Sequence, residues 1–324
     1  MTIGQALTEH RISHGLALLI SSGDLIADRR YQWALDYLAR GDRAAAAEIL
    51  EQALAGAPAF AGAWFALGAI REAAGDRERA IAAFRAARDA DPQDYHGAAL
   101  RLARLGEGEV TPPLMQRHVR RVFDQHARDF EESLLQRLAY RGPQLLHDAI
   151  LRARLASGAP ATFRSMLDLG CGTGLAGDCF RRDVDQLIGV DLSTAMIAEA
   201  AKRAIYDRLE EGELGAFLSH EAGSAACYDL IVAADVLVYV ADLAAVASAV
   251  RPVLAADGLF GFTVETHAGD GVVLGESLRY AHGAAHVRAA IAGAGLRLVD
   301  LGAVSVRTEK GAAVPGLLGV ATPC

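Results

Sequence analysis

Met166-Leu167-Asp168-Leu169-Gly170-Cys171-Gly172-Thr173-Gly174 carries an apolar run into a glycine-rich turn, and a second apolar run follows that ends at Asp191. Glycine at such a turn permits backbone angles with positive φ and puts no side chain between the backbone and a ligand. An acid at the tip of the next strand suits a different job, because its oxygens can accept from the two hydroxyls of a ribose. Together the two features point to a ligand that contains adenosine.

Two cofactor classes compete for this pattern. Gly172, Gly174 and Gly177 satisfy G-x-G-x-x-G, with Asp191 near the ~20-residue spacing of a dinucleotide site. The run begins one turn earlier, however, with Asp168 inside the strand and Gly170 at its end, giving D-x-G-x-G-x-G. This resembles motif I of the class I S-adenosylmethionine-dependent methyltransferases. The resemblance implies that Asp168 organises the loop and that Gly170, Cys171, Gly172 and Gly174 pass beneath the methionine part of the cofactor. It makes Asp191 the ribose-binding acid, with Leu192, Ser193 and Met196 beside it, Ser193 also being a natural N-cap for the helix that follows. Glu213 and Leu214 fall where the family has an acid or amide next to the adenine. Residues 206–217 show no clear strand period, so an exposed loop position for Glu213 is the alternative. Ala234 and Asp235 are expected beside the reactive sulfonium.

Strands and helices must alternate to hold these residues. Residues 228–237 read as a fourth strand, near-continuously apolar as a doubly covered parallel strand requires. A helix over 243–254, a fifth strand over 258–266 carrying Glu265, and last strands over 296–301 and 316–321 complete the pattern. The expected fold is an α/β Rossmann-like class I methyltransferase domain, a seven-stranded, mostly parallel sheet, with ligands outside the carboxyl ends of its strands. The final pair, joined through residues 307–315, looks like the antiparallel hairpin that closes the sheet of this family.

The front of the chain carries an internal repeat. With Ala61 as position one of a 34-residue unit, Trp64, Leu67, Gly68, Ala80, Phe84, Ala87 and Pro92 fall where the tetratricopeptide pattern fixes residues. A shift back by 34 puts Trp33, Ala34, Ala46, Leu50, Ala53 and Pro58 at equivalent places, with Gly41 matching Gly75. No heptad is sustained, which argues against a coiled coil. Repeats over about 27–60 and 61–94, with capping helices over 6–26 and 95–105, give an all-α tetratricopeptide domain at 1–110. Residues 106–113, with Pro112-Pro113, have a helix-stopping composition and mark the boundary. The methyltransferase domain is then expected at 111–324, with lid helices over 114–157 and the Rossmann core over 163–324. Over 115–138, Val119, Phe123, Phe130 and Leu134 share one helical face; Phe123, Ala127 and Phe130 resemble a lid helix that packs over the cofactor, the alternative being a helix simply buried on the sheet. Tyr140 and Arg141 open the next helix, where Arg141 could pair with the cofactor's carboxylate.

Composition narrows the function classes. The chain has 324 residues, 22% charged and 52% hydrophobic, so disorder is not expected. A net charge of -8 lacks the basic footprint of a nucleic-acid binder. No apolar run approaches the ~20 residues of a membrane span, and Glu9, His10 and Arg11 do not suit a signal peptide. Cys171, Cys179, Cys227 and Cys324 form no zinc or disulfide pattern, so no metal is expected. A cytoplasmic location follows.

Over nearly its full length the chain resembles bacterial predicted methyltransferases with an amino-terminal tetratricopeptide region, including an R-Y-A-H segment at Arg279-Tyr280-Ala281-His282. The resemblance implies S-adenosylmethionine as cofactor, S-adenosylhomocysteine as product, and Tyr280, His282 and His286 as candidate bases. Tyr280 and His282 have a second reading, in which they shape the pocket or order its loop. The D/N-P-P-Y/F segment of enzymes that methylate DNA amino groups is replaced by Ala234-Asp235-Val236-Leu237, which speaks against a nucleic-acid base. A small molecule methylated on oxygen or nitrogen is expected. A protein docked by the repeats, repeats that mediate self-association, a scaffold that binds cofactor without turnover, and an NAD-dependent oxidoreductase are the alternatives.

Overall fold

In the computed structural model, which describes residues 21–127, 131, 139–309 and 311–324, the chain divides into two units between His118 and Val119. The first is helical: α1 (Leu25–Ala39), α2 (Arg43–Gly56), α3 (Ala61–Ala73), α4 (Arg77–Ala90) and α5 (Ala98–Arg104), with α1 packed on α2 and α3 on α4. The 34-residue period is visible in the turns. Gly41 and Gly75 take φ of 84° and 79°, and each is followed by an aspartate, Asp42 or Asp76, whose carboxylate caps the next helix. Gly68 is small because a Cβ there would lie 2.8 Å from the Phe84 ring. Trp64 packs against the apolar clusters of both helix pairs, whereas Trp33 is half-exposed. Helix α5 falls in the expected carboxyl-terminal cap; of the amino-terminal cap, residues 6–20 lie outside the described residues.

Pro112-Pro113 does not end a helix but begins one, α6 (Pro112–His126). Proline suits a first turn, where its missing N–H has no intrahelical partner to lose. Phe130 and Leu134, expected on the same helix, lie outside the described residues.

The second unit holds α7 (Gly142–Ala156), β1 (Phe163–Leu169), α8 (Leu175–Phe180), β2 (Val184–Asp191), α9 (Thr194–Lys202), β3 (Arg208–Glu211), α10 (Leu214–Gly223), β4 (Tyr228–Ala233), α11 (Leu243–Val250), β5 (Leu254–Glu265), β6 (Val272–Leu274), β7 (Tyr280–His282), α12 (Ala284–Gly293), β8 (Leu296–Val304), β9 (Thr308–Glu309), β10 (Ala312–Ala313) and β11 (Gly316–Pro323). The main path of its sheet has seven strands in the order β3-β2-β1-β4-β5-β11-β8. β1 to β5 pair in parallel, and β11 runs antiparallel between β5 and β8. Alternate residues of each strand feed two cores. Leu167, Ile231 and Phe260 meet α10, α11 and α12 on one face, while Met166, Leu230 and Val232 meet α7 and α8 on the other. This two-sided burial is why β4 is apolar at nearly every position.

Four departures from the sequence reading have physical causes. β4 stops at Ala233 because Asp235 adopts φ 56°, outside any strand. α11 stops at Val250, two residues before Pro252, and a 3-10 turn over Arg251–Val253 leads into β5. Residues 206–217 contain β3 and the start of α10; as an edge strand with one neighbour, β3 needs no two-sided apolar run. Finally, β6 and β7 extend the sheet beyond seven strands, β7 pairing with the end of β5 at Glu265 and Ala281.

Candidate functional site

Asp168, the penultimate residue of β1, is fully buried. Its Oδ2 accepts from the Tyr206 hydroxyl at 2.7 Å, while Oδ1 is sealed without a hydrogen bond of normal geometry among the described residues. Burial pushes this acid up to about 7, against the opposing pull of Tyr206 and the Gly177 amide. In the loop that follows, Gly170 and Gly172 take φ of 68° and 54°. A Cβ on Gly170 would overlap the Val236 side chain, but one on Gly172 would meet nothing within 4 Å. The backbone at Gly172 therefore borders open space. Thr173, 2% exposed, leaves its Oγ1 without a hydrogen bond among the described residues. Arg203 closes the loop from behind, donating Nε to the Thr173 carbonyl at 2.7 Å and Nη2 to Glu131 at 2.6 Å. Cys171 is buried in the floor, its thiol pushed up by burial, and Gly174 opens α8 beside Arg203 and Tyr206.

Asp191 ends β2. Its Oδ2 accepts from the Gly172 amide at 2.9 Å and its Oδ1 from the Ser193 amide at 2.8 Å. Each oxygen keeps a lone pair for a further donor. Ser193 caps α9 by accepting from the Met196 amide and donates to Asp124 of α6 at 2.5 Å. Arg120 of α6 donates to the Leu192 carbonyl at 3.1 Å, and Phe123 meets the Tyr239 ring edge-on. The carboxyl-terminal half of α6 thus packs over the ends of the strands. Glu213 caps α10 by accepting from the Ala216 amide at 2.8 Å, so it is a helix cap and not the free loop glutamate; Leu214 packs behind it.

Past β4, Ala234 is half-buried and the Asp235 amide donates to Thr263 Oγ1 at 2.8 Å, which helps hold the left-handed bend. The Asp235 carboxylate meets Arg307, a residue that sequence reasoning missed, together with Glu309, Tyr239, Tyr206 and Arg203. Tyr140 is 8% exposed. Burial first, and then the charge of Asp235, holds its hydroxyl well above its ordinary value. Arg141 is exposed and forms no ion pair among the described residues, its amide being held by the Val306 carbonyl at 2.8 Å.

Tyr280 and His282 are alternate residues of β7 and share one face. His282 is fully buried, neither ring nitrogen has a hydrogen-bond partner of normal geometry among the described residues, and its ring stacks on His286 at 5.6 Å. Burial, then His286, lowers it to about 4. As the site stands, His282 lies inside the core and faces no open space from which an acceptor's proton would arrive. Among the described residues no group of three or more His, Cys, Asp or Glu is placed to hold a metal.

A methyltransferase-domain family model matches residues 167–260, and a tetratricopeptide-repeat model matches residues 37–105. Over 52 residues the chain is 38% identical to an 18S rRNA (guanine-N(7))-methyltransferase, RID2, of Arabidopsis thaliana; the match covers 16% of this chain and 18% of that protein. The chain thus spans under a fifth of the length of that relative. Among solved structures, a 1,6-didemethyltoxoflavin-N1-methyltransferase of Burkholderia thailandensis superposes with a TM-score of 0.51 at 18% identity, over 67% of this chain and 92% of that one. An S-adenosylmethionine-dependent methyltransferase of Clostridium acetobutylicum gives a TM-score of 0.46 at 16% identity, over 60% and 97%. At these identities the likeness is one of fold. The family matches and the strand order give the chain a tetratricopeptide-repeat region at residues 37–105 and, over residues 167–260, a methyltransferase domain, set in a sheet of the class I fold.

Proposed function

We propose that the chain transfers a methyl group from S-adenosylmethionine to oxygen or nitrogen of a small-molecule acceptor, and that its repeat unit serves protein interaction or self-association. The observation that carries this reading is the end of β1. Open space borders the backbone at Gly172, the next residue, Thr173, has a buried Oγ1 without a hydrogen bond among the described residues, and Asp191 retains free accepting capacity. Such a constellation suits the donor's ammonium and hydroxyl groups. The donor supplies a methyl group on a sulfonium, a leaving group that becomes a neutral thioether.

On this reading Gly170, Cys171, Gly172 and Gly174 form the floor under the amino-acid half, and Arg141 is free for its carboxylate. Asp191, with Leu192, Ser193 and Met196, holds the ribose, while Glu213 and Leu214 border the base. Ala234, Asp235 and Tyr140 lie toward the methyl end. Because the positive charge leaves sulfur as the carbon–sulfur bond breaks and the leaving thioether is neutral, alignment and exclusion of water do most of the catalytic work. α6 and Tyr239 cover the strand ends accordingly. The burial of His282 and Tyr280 favours their role in shaping the loop over that of a base. A second reading has one supporting observation: between α2 and α3 an open groove of about 270 Å³, lined by Glu51, Leu54, Trp64 and Arg71, is available to a docked peptide, whose side chain would then be the acceptor.

Calorimetric titration with S-adenosylmethionine, S-adenosylhomocysteine and NADH tests the donor, on the wild type and on Asp191→Ala. Micromolar binding of both sulfur compounds, weakened at least ~100-fold in the variant by loss of the ribose acceptor, is the expected result. Binding of NADH alone would remove the methyltransferase site as drawn.

A further inference from the structure

Beyond β4 and β5 the chain buries five charged side chains in one cluster. Arg307, 1% exposed, has all three nitrogens engaged: Nη1 with Asp235 Oδ1 at 2.7 Å and Oδ2 at 3.0 Å, Nη2 with Glu265 Oε1, and Nε with Glu309 Oε1 at 3.1 Å. Arg279, 3% exposed, gives Nε to the Tyr239 hydroxyl at 3.2 Å, and Nη1 to Oε1 of Glu309 at 3.2 Å and of Glu265 at 3.4 Å. Among the described residues three carboxylates face two guanidiniums, so these five side chains hold one negative charge in excess. The carboxylates keep only 12%, 14% and 16% of their side-chain surface exposed, for Asp235, Glu265 and Glu309. An uncompensated charge so placed is costly.

Two further observations aim the excess at a ligand. Oε2 of Glu265 and Oε2 of Glu309 carry no hydrogen bond among the described residues, all four glutamate contacts being made through Oε1. The Tyr140 hydroxyl likewise has no hydrogen-bond partner among the described residues, although the residue is 8% exposed, and the charges acting on it include both Asp235 and Asp168. It therefore senses the cluster and the β1 loop alike. β1, β4 and β5 are neighbours in the sheet, so the two features lie at adjoining strand ends.

We propose that this cluster receives the methyl acceptor and selects one that presents an ammonium group, which directs transfer to nitrogen. The inference rests on the methyltransferase reading above and narrows its acceptor. An ammonium cancels the excess charge and supplies donors to the two free Oε2 atoms and to the Tyr140 oxygen. A carboxylate acceptor would instead raise the excess to two, and an alcohol would leave it unchanged. For transfer, the ammonium first yields one proton to Glu265 or Glu309 Oε2. Its nitrogen lone pair then forms the bond to the methyl carbon as the carbon–sulfur bond breaks and its electron pair stays on sulfur. The product is a methylammonium ion, and the proton passes from the glutamate to water.

Full-length protein saturated with S-adenosylhomocysteine is titrated calorimetrically at pH 7 with benzylamine, benzyl alcohol and benzoate, three probes of similar shape. Benzylamine is expected to bind about tenfold or more tighter than benzyl alcohol, with benzoate the weakest. In Glu309→Gln, whose amide oxygen can still accept from Arg307, that preference should fall below about threefold while affinity for S-adenosylhomocysteine changes little. If the variant does not fold, the wild-type ranking decides alone. Failure to bind S-adenosylhomocysteine would overturn the donor reading. Its binding combined with no gain for benzylamine over benzyl alcohol, undetectable binding of both included, or with a preference for benzoate, would overturn this inference only.

Discussion

Gly170 and Gly172 look interchangeable in the sequence, and the structure separates their jobs. Both have positive φ, so any side chain costs on the order of 1–2 kcal/mol through backbone strain. A Cβ on Gly170 would also strike the side chain of Val236, whereas on Gly172 it would enter open space. Gly170→Ala is therefore expected to lose the strain energy plus an overpacking cost of about 1–3 kcal/mol, seen as a lower denaturation midpoint. Gly172→Ala should lose only the strain energy, yet weaken S-adenosylhomocysteine at least ~10-fold because its methyl occupies the ligand's side of the loop. Chemical denaturation and calorimetry on the two variants read these separately. Equal binding losses would mean that Gly172 does not border the cofactor.

β7 shows what an element can hide. Arg-Tyr-Ala-His invites a base, but strand alternation turns Tyr280 and His282 to the same face, and there His282 lies against His286 with no solvent. A histidine whose proton affinity is depressed in the fold, here from 6.5 to about 4, contributes stability that is full above the unfolded value and lost as pH falls toward the folded one. That contribution is on the order of 3 kcal/mol over the window from about pH 6.5 down to 4. His282→Phe, which keeps a ring against His286, should therefore flatten the fall of the melting temperature across this window and leave affinity for S-adenosylhomocysteine within about threefold. An unchanged acid limb would show that His282 is solvated in solution. Legibility followed the same logic. The doubly buried strands, the 34-residue period and the two acids at the ends of β1 and β2 were readable because each is a local pattern with one physical cause. β3 was not, because an edge strand of four residues has no two-sided burial to advertise. Neither was the charge cluster: Arg307 lies 72 residues from Asp235 and 42 from Glu265, and only the antiparallel return through β8 and β11 brings them together.

For the whole chain, the strand-end face bears on which acceptors can reach the site. The molecule carries a net charge of -8, and acids crowd that face: Asp124 on α6, Asp191, Asp235, Glu265 and Glu309. The two arginines nearest the end of β5, Arg279 and Arg307, are already engaged by carboxylates and cannot release counterions from a phosphate backbone. Nucleic-acid affinity of the sequence-independent kind comes almost wholly from such release. Although the Arabidopsis relative is an rRNA methyltransferase, its likeness covers only 16% of this chain and 18% of that protein. A single-stranded RNA oligonucleotide titrated at 50 mM salt is therefore expected to bind no tighter than about 10⁻⁴ M, with no steep dependence on salt. Binding that strengthens several hundredfold as salt is lowered would require a basic track on this molecule, and would move the acceptor from a small ammonium compound to an RNA base.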